Sequence, residues 1–209
     1  MQNELTYGKY RLEALADGIF GFAMTLLVIN LHVPAIALIH SEAMLMKALT
    51  IQWPVLISYV LSFLLLGVAW TGHQAQFGRV TQTNHTQNWL HIAYLMTIAA
   101  IPFSTGLLGQ FSSYRTAHFI YGLNLILGST FMLLLWWHAD RNHLIVTTGQ
   151  ASQTFIAERY KRLLATILIY GLAMLAAFIS TSLSYMIYLL IPISLIVSAP
   201  VLRRTKPSE

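Results

Sequence analysis

Residues 11–31, RLEALADGIFGFAMTLLVINL, decide the fold class of this chain. About 20 predominantly apolar residues are enough for a helix to cross the hydrocarbon core of a bilayer, and this run has that length and composition. It begins with a basic residue, Arg11, and carries an acidic residue, Asp17, further along the same run. An ionisable side chain at that depth in a membrane is energetically costly, so Asp17 is a candidate functional residue. The run also places a single threonine, Thr25, among large apolar side chains.

The composition of the chain extends this interpretation to all 209 residues. Hydrophobic residues make up 56% and charged residues only 9%, whereas soluble domains average about 25% charged residues. An open sheet would leave backbone groups unpaired in lipid, and the apolar runs lack the alternation of a barrel. We therefore predict an all-α membrane protein, a single domain over residues 1–209, with six spanning helices at 12–33, 52–72, 89–108, 117–137, 163–181 and 185–202.

The basic residues indicate how these helices are oriented. Ten of the twelve lysines and arginines precede the first helix, follow the sixth, or lie between helices two and three or four and five. These segments share one side, and an excess of positive charge marks the cytoplasmic side of a membrane protein. We therefore expect both termini in the cytoplasm, lipid as a partner and no nucleic-acid partner. The ten residues are Lys9, Arg11, Arg79, Arg141, Arg159, Lys161, Arg162, Arg203, Arg204 and Lys206.

Sequence signals of an enzyme are missing. The chain has no cysteine, which excludes disulfides and thiolate metal sites. It has no His-Glu-x-x-His motif, no Gly-x-Ser-x-Gly motif and no recognisable pair of catalytic carboxylates. His138 and His143 fall in a predicted loop, where a histidine is more often solvated than bound to a metal. We predict no enzymatic activity, no resident metal and no cofactor.

The first helix has two faces when its residues are projected at about 100° per residue. One face is a mostly apolar stripe with one hydroxyl, and Asp17 lies away from it, on the side of Phe20. Such stripes are common in helices that face lipid or a packed core, where Thr25 would bond back to its own helix. The alternative is a water-filled lumen in which apolar rings close a pore by dewetting. The stripe contains Arg11, Leu15, Gly18, Phe22, Thr25, Leu26, Ile29 and Val33.

The acidic residue on the other face is expected to find partners at the cytoplasmic ends of helices two and three. Trp70 and His73 share one face of helix two, three residues apart. A buried hydrogen-bond network around Asp17 is the structural interpretation, and a proton relay through Asp17 and the histidines is the functional alternative. The residues assigned to this network are Arg11, Asp17, Trp70, His73, Asn88 and His91.

Several segments resemble the prokaryotic branch of the transmembrane protein 175 family, the endolysosomal potassium channels. The Arg-x-x-x-Phe-Ser-Asp motif of that family matches residues 11–17, with Leu15 and Ala16 in place of its phenylalanine and serine. The next stretch, GIFGFAMTLLV at 18–28, is similar to the pore helix of the family. Further similarity occurs at 70–73 (WTGH), 101–109 (IPFSTGLLG) and 121–124 (YGLN), in the same order along the chain.

This resemblance implies a homotetramer of six-helix subunits whose first helices line a central pathway for K⁺. It places the narrowest apolar ring at Phe22 and further apolar layers at Leu26 and Ile29. It assigns ion selectivity to Thr25, near which K⁺ would pass. A phenylalanine ring, where relatives usually carry isoleucine or leucine, would close the pore more firmly. The implied location is the plasma membrane of a prokaryote.

Two functions therefore compete. The first is a potassium-selective channel that lacks the Thr-Val-Gly-Tyr-Gly filter and the arginine-rich voltage sensor of other potassium channels. The second is a proton-conducting protein or secondary transporter that uses Asp17 and nearby histidines. Many transporters have internal repeats and helices broken near the midplane, whereas here only Pro192 in helix six is expected to introduce a kink. The sequence favours the channel.

Overall fold

The computed structural model describes the backbone of residues 2–35, 39–145 and 150–197, and the side chains of residues 9–35, 39–145 and 155–192. Over these ranges the regular secondary structure is helical, and short turns and connections join the helices, with one isolated bridge between Val80 and Ile145. The helices are α1 (Gln2–Leu26), a 3-10 turn (Leu27–Asn30), α2 (Glu42–Ile51), α3 (Trp53–Phe77), α4 (His85–Ala99), α5 (Ile101–Gln110), α6 (Arg115–Arg141), α7 (Gln150–Ala176) and α8 (Thr181–Val197).

Among the described residues, four stretches are long and apolar enough to cross a membrane, which confirms the all-α membrane class. They are Lys9–Asn30, Trp53–Phe77, His85–Gln110 and Arg115–Arg141, and they contain most or all of the first four predicted spans. The fifth predicted span, 163–181, coincides largely with the second half of α7. The sixth, 185–202, begins in α8, but its last five residues lie outside the described part of the chain, as do Arg203, Arg204 and Lys206.

The third predicted span is not one helix, which corrects the expectation that only Pro192 would interrupt a helix. It divides at Ala100 into α4 and α5, and Pro102 occupies the first turn of α5. Proline lacks a backbone N–H and fits the first turn of a helix better than its interior. The short helix α2 was also not predicted, although the sequence carries its start signal, since Ser41 caps α2 by accepting from the Met44 N–H at 3.3 Å.

Two large apolar clusters connect the helices, and a third, smaller one surrounds Trp136. One lies between α1, α3, α4 and α6 and includes Phe20 and Leu66. The other lies between α3, α6, α7 and α8 and includes Tyr121 and Tyr188. In lipid, helix association depends on close packing and interhelical hydrogen bonds, because the surroundings are as apolar as the core. The buried polar residues of this fold therefore carry much of the information on which helices pair.

Candidate functional site: the exposed face of the first helix

The apolar stripe of α1 lies on the outside of the single chain. Phe22, Leu26 and Ile29 are 73%, 43% and 63% exposed. The opposite face of the helix, which includes Phe20 and Leu27, is buried against the other helices. The folded chain therefore presents the stripe outward as one continuous apolar face, available to lipid, to another protein chain or to a pore.

Thr25 is exposed on this face, and its hydroxyl is oriented by its own helix. The Thr25 Oγ1 hydroxyl donates a hydrogen bond to the Phe22 carbonyl at 2.9 Å. This is the back-bond expected for a packed or lipid-facing threonine. A hydroxyl that uses its only proton in this way still has lone pairs with which to accept a hydrogen bond or contact a cation. The geometry is thus compatible with both interpretations of the stripe.

Asn30 fixes the far end of this face to α5. The α-helix changes to a 3-10 turn at Leu27, and the Asn30 Nδ2 amide donates to the Pro102 carbonyl at 3.0 Å. Gly106 allows this close approach, because a Cβ atom at that position would lie 2.5 Å from Asn30 Oδ1. The broken third span therefore holds the end of the helix that carries the stripe.

The predicted network around Asp17 separates into two pairs. Trp70 Nε1 donates to Asp17 Oδ1 at 2.8 Å, as expected from their depth. His73 does not bond to Asp17 and instead lies 2.9 Å from His91, nitrogen to nitrogen. The reason is angular: three residues on a helix correspond to a rotation of about 60° between side chains. Trp70 accordingly reaches Asp17 on α1, whereas the His73 nitrogen reaches His91 on α4.

The expectation that Asp17 is buried is wrong for the single chain. Asp17 is exposed, and so is Arg11. Asn88 is only partly exposed, and its Oδ1 atom is buried without a hydrogen-bond partner. The six residues assigned to the network therefore do not form one continuous set of hydrogen bonds in the described structure.

Around the histidine pair lies a group of buried, incompletely bonded polar side chains that we call the histidine cluster: His73, Gln87, Asn88, His91, Tyr94 and Trp136. Each has one buried polar atom without a hydrogen-bond partner. These atoms are His73 Nδ1, Gln87 Oε1, Asn88 Oδ1, His91 Nδ1, Tyr94 OH and Trp136 Nε1. Only the histidines and Asn88 were expected from the sequence, since nothing local in the sequence marks a buried glutamine, tyrosine or indole.

A second polar group, the hydroxyl cluster, lies toward the other end of α3 and contains Ser58, Ser62, Thr105, Tyr121 and Tyr185. The Ser58 and Tyr185 hydroxyls are 2.7 Å apart, and those of Ser62 and Tyr121 are 2.9 Å apart. Thr105 donates to Ser62 at 2.8 Å. The cluster joins α3, α5, α6 and α8 and was not foreseen, because hydroxyls inside apolar runs are common and carry no distinctive spacing.

Arg159 is a further residue that sequence analysis assigned only to the cytoplasmic charge bias. Its guanidinium reaches α3, where Nη2 donates to the Gly72 carbonyl at 2.8 Å and to Gln76 Oε1 at 3.3 Å. Gln76 in turn donates to the Met132 carbonyl at 3.2 Å. The pattern links α7, α3 and α6 near the histidine cluster. In the described part of the chain, no three His, Asp or Glu residues are grouped closely enough to hold a metal ion.

Comparison with known proteins connects these features to a family. Residues 11–102 match the family described as endosomal/lysosomal potassium channel TMEM175. A potassium channel of Streptomyces collinus is 33% identical over 135 residues, which is 63% of this chain and 64% of that protein. A potassium channel of Chamaesiphon minutus is 32% identical over 133 residues, covering 62% of this chain and 64% of the relative. The matched regions thus span less than two thirds of these relatives.

More distant and structural matches agree. The human endosomal/lysosomal proton channel TMEM175 is 25% identical over 184 residues, covering 84% of this chain and 36% of the human protein. The crystal structure of a lysosomal potassium-selective channel TMEM175 homolog from Chamaesiphon minutus superposes with a TM-score of 0.79 at 26% identity. That match covers 91% of this chain and 97% of the crystallised one. The matched segment, the bacterial relatives and the shared fold all support a prokaryotic member of the TMEM175 family.

Proposed function

We propose that this protein is a potassium-selective channel in which four copies of α1 line a central pore. The observation that carries the proposal is the exposed apolar face of α1, interrupted by one hydroxyl at Thr25. The names of the bacterial relatives, both potassium channels, support the same function. The subunit is proposed to cross the plasma membrane six times, with both termini in the cytoplasm, in contact with lipid and with three other copies of itself.

The gate is proposed to be apolar, with Phe22 as its narrowest ring and with Leu26 and Ile29 forming further layers. An ion between such rings has no polar partner and must keep its water in a space that is too small. Water leaves a constriction of this kind, and conduction stops. No selectivity filter of backbone carbonyls is needed for this gate.

Ion preference is assigned to Thr25. Because its proton is held by the Phe22 carbonyl, its oxygen is free to face the pore as an acceptor. A ring of such oxygens contacts a partly hydrated K⁺, while the apolar layers penalise the more tightly hydrated Na⁺. The only ion assigned to this position is the permeating K⁺, and no resident metal or cofactor is proposed.

Ion flux into liposomes that contain the purified protein tests the proposal. We expect K⁺ to enter faster than Na⁺, and Thr25→Val to reduce this preference more than it reduces total flux. Thr71→Val is the matched control, because Thr71 is also exposed and makes the same type of back-bond on α3, to the Val68 carbonyl at 3.0 Å. Equal K⁺ and Na⁺ flux through the wild-type protein would refute selectivity.

The gate is tested in the same liposomes by Phe22→Ala. We expect a basal K⁺ flux at least about tenfold higher, with little change in melting temperature, because the ring is removed from a lumen and not from a core. A packed phenylalanine would instead lose about 3–5 kcal/mol of stability without a new current. Phe119→Ala is the control, since Phe119 is 40% exposed on α6, away from the stripe. If the two variants change K⁺ flux and melting temperature equally, Phe22 does not line the pore.

A second candidate is a proton-conducting protein or secondary transporter that uses Asp17 and the histidines. It is favoured by the His73–His91 contact of 2.9 Å and by the name of the human relative, which is a proton channel. Proton flux driven by a pH gradient without K⁺ separates the candidates. If His91→Gln abolishes proton flux and leaves K⁺ flux intact, protons follow their own route; if it alters neither flux, the relay is excluded.

A further inference from the structure

A small cavity lies inside the subunit, behind the histidine pair and away from the exposed face of α1. Its volume is about 10 Å³, and it is lined by residues of α3, α4, α6 and the segment after α3. The residues around it are deeply buried; Trp136, Gln87 and Val80 are 0%, 1% and 2% exposed. A single water molecule needs about 10–15 Å³ by this measure. The cavity is thus of the size of one water molecule and too small for a larger ligand.

Three of the residues that line this cavity each carry a buried polar atom without a hydrogen-bond partner. These atoms are Trp136 Nε1, Gln87 Oε1 and His73 Nδ1. The other ring nitrogen of His73 is engaged with His91, and the Gln87 amide nitrogen is 3.4 Å from the Leu135 carbonyl. Buried polar atoms are nearly always satisfied by protein or by ordered water. Three of them around one small cavity therefore point to a ligand.

The chemistry of the three atoms selects that ligand. An indole N–H can only donate, and an amide oxygen can only accept. A histidine nitrogen can do either, depending on the tautomer. A metal cation or K⁺ would be repelled by the Trp136 N–H, and an anion by the Gln87 oxygen. Water donates two hydrogen bonds and accepts two, so it matches all three atoms and either tautomer of His73.

We propose that this cavity is a binding site for one structural water molecule, which joins Trp136, Gln87 and His73 and so links α6, α4 and α3. The site is distinct from the proposed ion pathway and does not depend on it. The water completes the hydrogen bonding of the histidine pair on the His73 side. The site makes the contact between these three helices depend on a bound solvent molecule, in contrast to the direct hydroxyl contacts elsewhere in the subunit.

Thermal unfolding of four proteins in detergent tests the site: wild type, Val80→Ile, Gln87→Met and the double variant. Val80 lines the cavity, and isoleucine adds one methylene there. If water is bound, Val80→Ile expels it and lowers the melting temperature. In the Gln87→Met background one polar partner of the water is already gone, so Val80→Ile should then lower the melting temperature less, or raise it. Val68→Ile is the control, because Val68 lies on α3 and does not line the cavity. It should change the melting temperature by the same amount with and without Gln87→Met.

The other outcomes overturn the proposal. If Val80→Ile shifts the melting temperature equally in both backgrounds, or more strongly with Gln87→Met, the effect is steric and the cavity is dry. If exchange of K⁺ for Na⁺ shifts the melting temperature of the wild type but not of Gln87→Met, the cavity holds a cation. A density map that shows other buried waters should show a peak within about 3.2 Å of both Trp136 Nε1 and Gln87 Oε1. Absence of that peak would equally reject the site.

Discussion

The hydroxyl cluster and the histidine cluster both lie inside the subunit and both include residues of α3, yet their polar atoms differ in how many hydrogen-bond partners they have within the protein. In the hydroxyl cluster, Ser62 has two hydroxyl partners, Tyr121 and Thr105, at 2.9 Å and 2.8 Å. In the histidine cluster, six side-chain atoms have no protein partner. A hydroxyl rotates and can both donate and accept, whereas imidazole, indole and amide groups have fixed directions. Five of the six atoms belong to imidazole, indole or amide groups, and the sixth is the Tyr94 hydroxyl. The hydroxyl cluster therefore bonds mainly within itself, whereas the directional groups of the histidine cluster leave atoms for another molecule to satisfy.

The two clusters also hold the proposed pore helix differently. The hydroxyl cluster anchors α5 through Thr105, and α5 in turn holds Asn30 at the end of the stripe. The histidine cluster lies beside the other part of α1, where the contact is an exposed pair between Asp17 and Trp70. The comparison indicates a firmly held end near Asn30 and a more adaptable region near Asp17.

The largest loss of stability is expected from Gly109→Ala, which disrupts the packing of α5 against α3 beside the hydroxyl cluster. A Cβ at this position would lie 2.9 Å from the Val55 backbone Cα and 3.3 Å from Ser58 Oγ. Backbone atoms cannot rotate away, so α5 would separate from α3 at a cost of about 1–3 kcal/mol. Gly171→Ala is the matched control, because no atom lies within 4 Å of its added Cβ. We expect thermal unfolding to show a clear loss for Gly109→Ala and none for Gly171→Ala.

That prediction would fail if both alanine variants were equally stable, and the hydroxyl cluster would then not be the rigid part of the subunit. A gain at Gly171 alone is compatible with the prediction, since alanine is a better helix former than glycine by about 1 kcal/mol.

A pair of identical substitutions compares the clusters directly. Tyr121→Phe removes a hydroxyl bonded to Ser62, whereas Tyr94→Phe removes a buried hydroxyl that has no partner. We expect Tyr121→Phe to lower the free energy of unfolding by about 1 kcal/mol, and Tyr94→Phe to leave it unchanged or raise it. Both tyrosines are at least 98% buried, so the chemistry and burial are matched. If chemical denaturation shows equal losses in the free energy of unfolding for the two variants, the Tyr94 hydroxyl has a hydrogen-bond partner and the proposed difference between the clusters is wrong.

The smallest effect is expected at Asp17. Because this carboxylate is exposed in the single chain and its partner is a neutral indole, Asp17→Asn should cost about 1 kcal/mol or less. Trp70→Phe removes the same hydrogen bond from the other side. The double variant should therefore lose less stability than the sum of the two single variants. A loss of several kcal/mol, or loss of the assembled oligomer in Asp17→Asn alone, would instead indicate that assembly buries the carboxylate.

Features that depend on a single helix were predictable from sequence. The stripe from Leu15 to Ile29 follows from the rotation per residue, and the structure exposes its members while burying Phe20 and Leu27. The match between Asp17 and Trp70 was predictable from depth, since both positions follow from where their helices enter the membrane. The sequence contains the start signal of α2 at Ser41, but α2 was not predicted, because a short helix between two spans gives a weaker signal than a long apolar run.

What the sequence by itself determined is therefore the membrane class, most of the spanning segments and the faces of α1, because hydropathy and helical periodicity are local properties. Only the tertiary structure decided that His73 pairs with His91, that Pro102 divides the third span to receive Asn30, and that Arg159 reaches Gly72. Each of these is a choice among partners on other helices. In lipid, helices pair through complementary shape and a few buried polar groups, and neither of these produces a periodic pattern in the sequence.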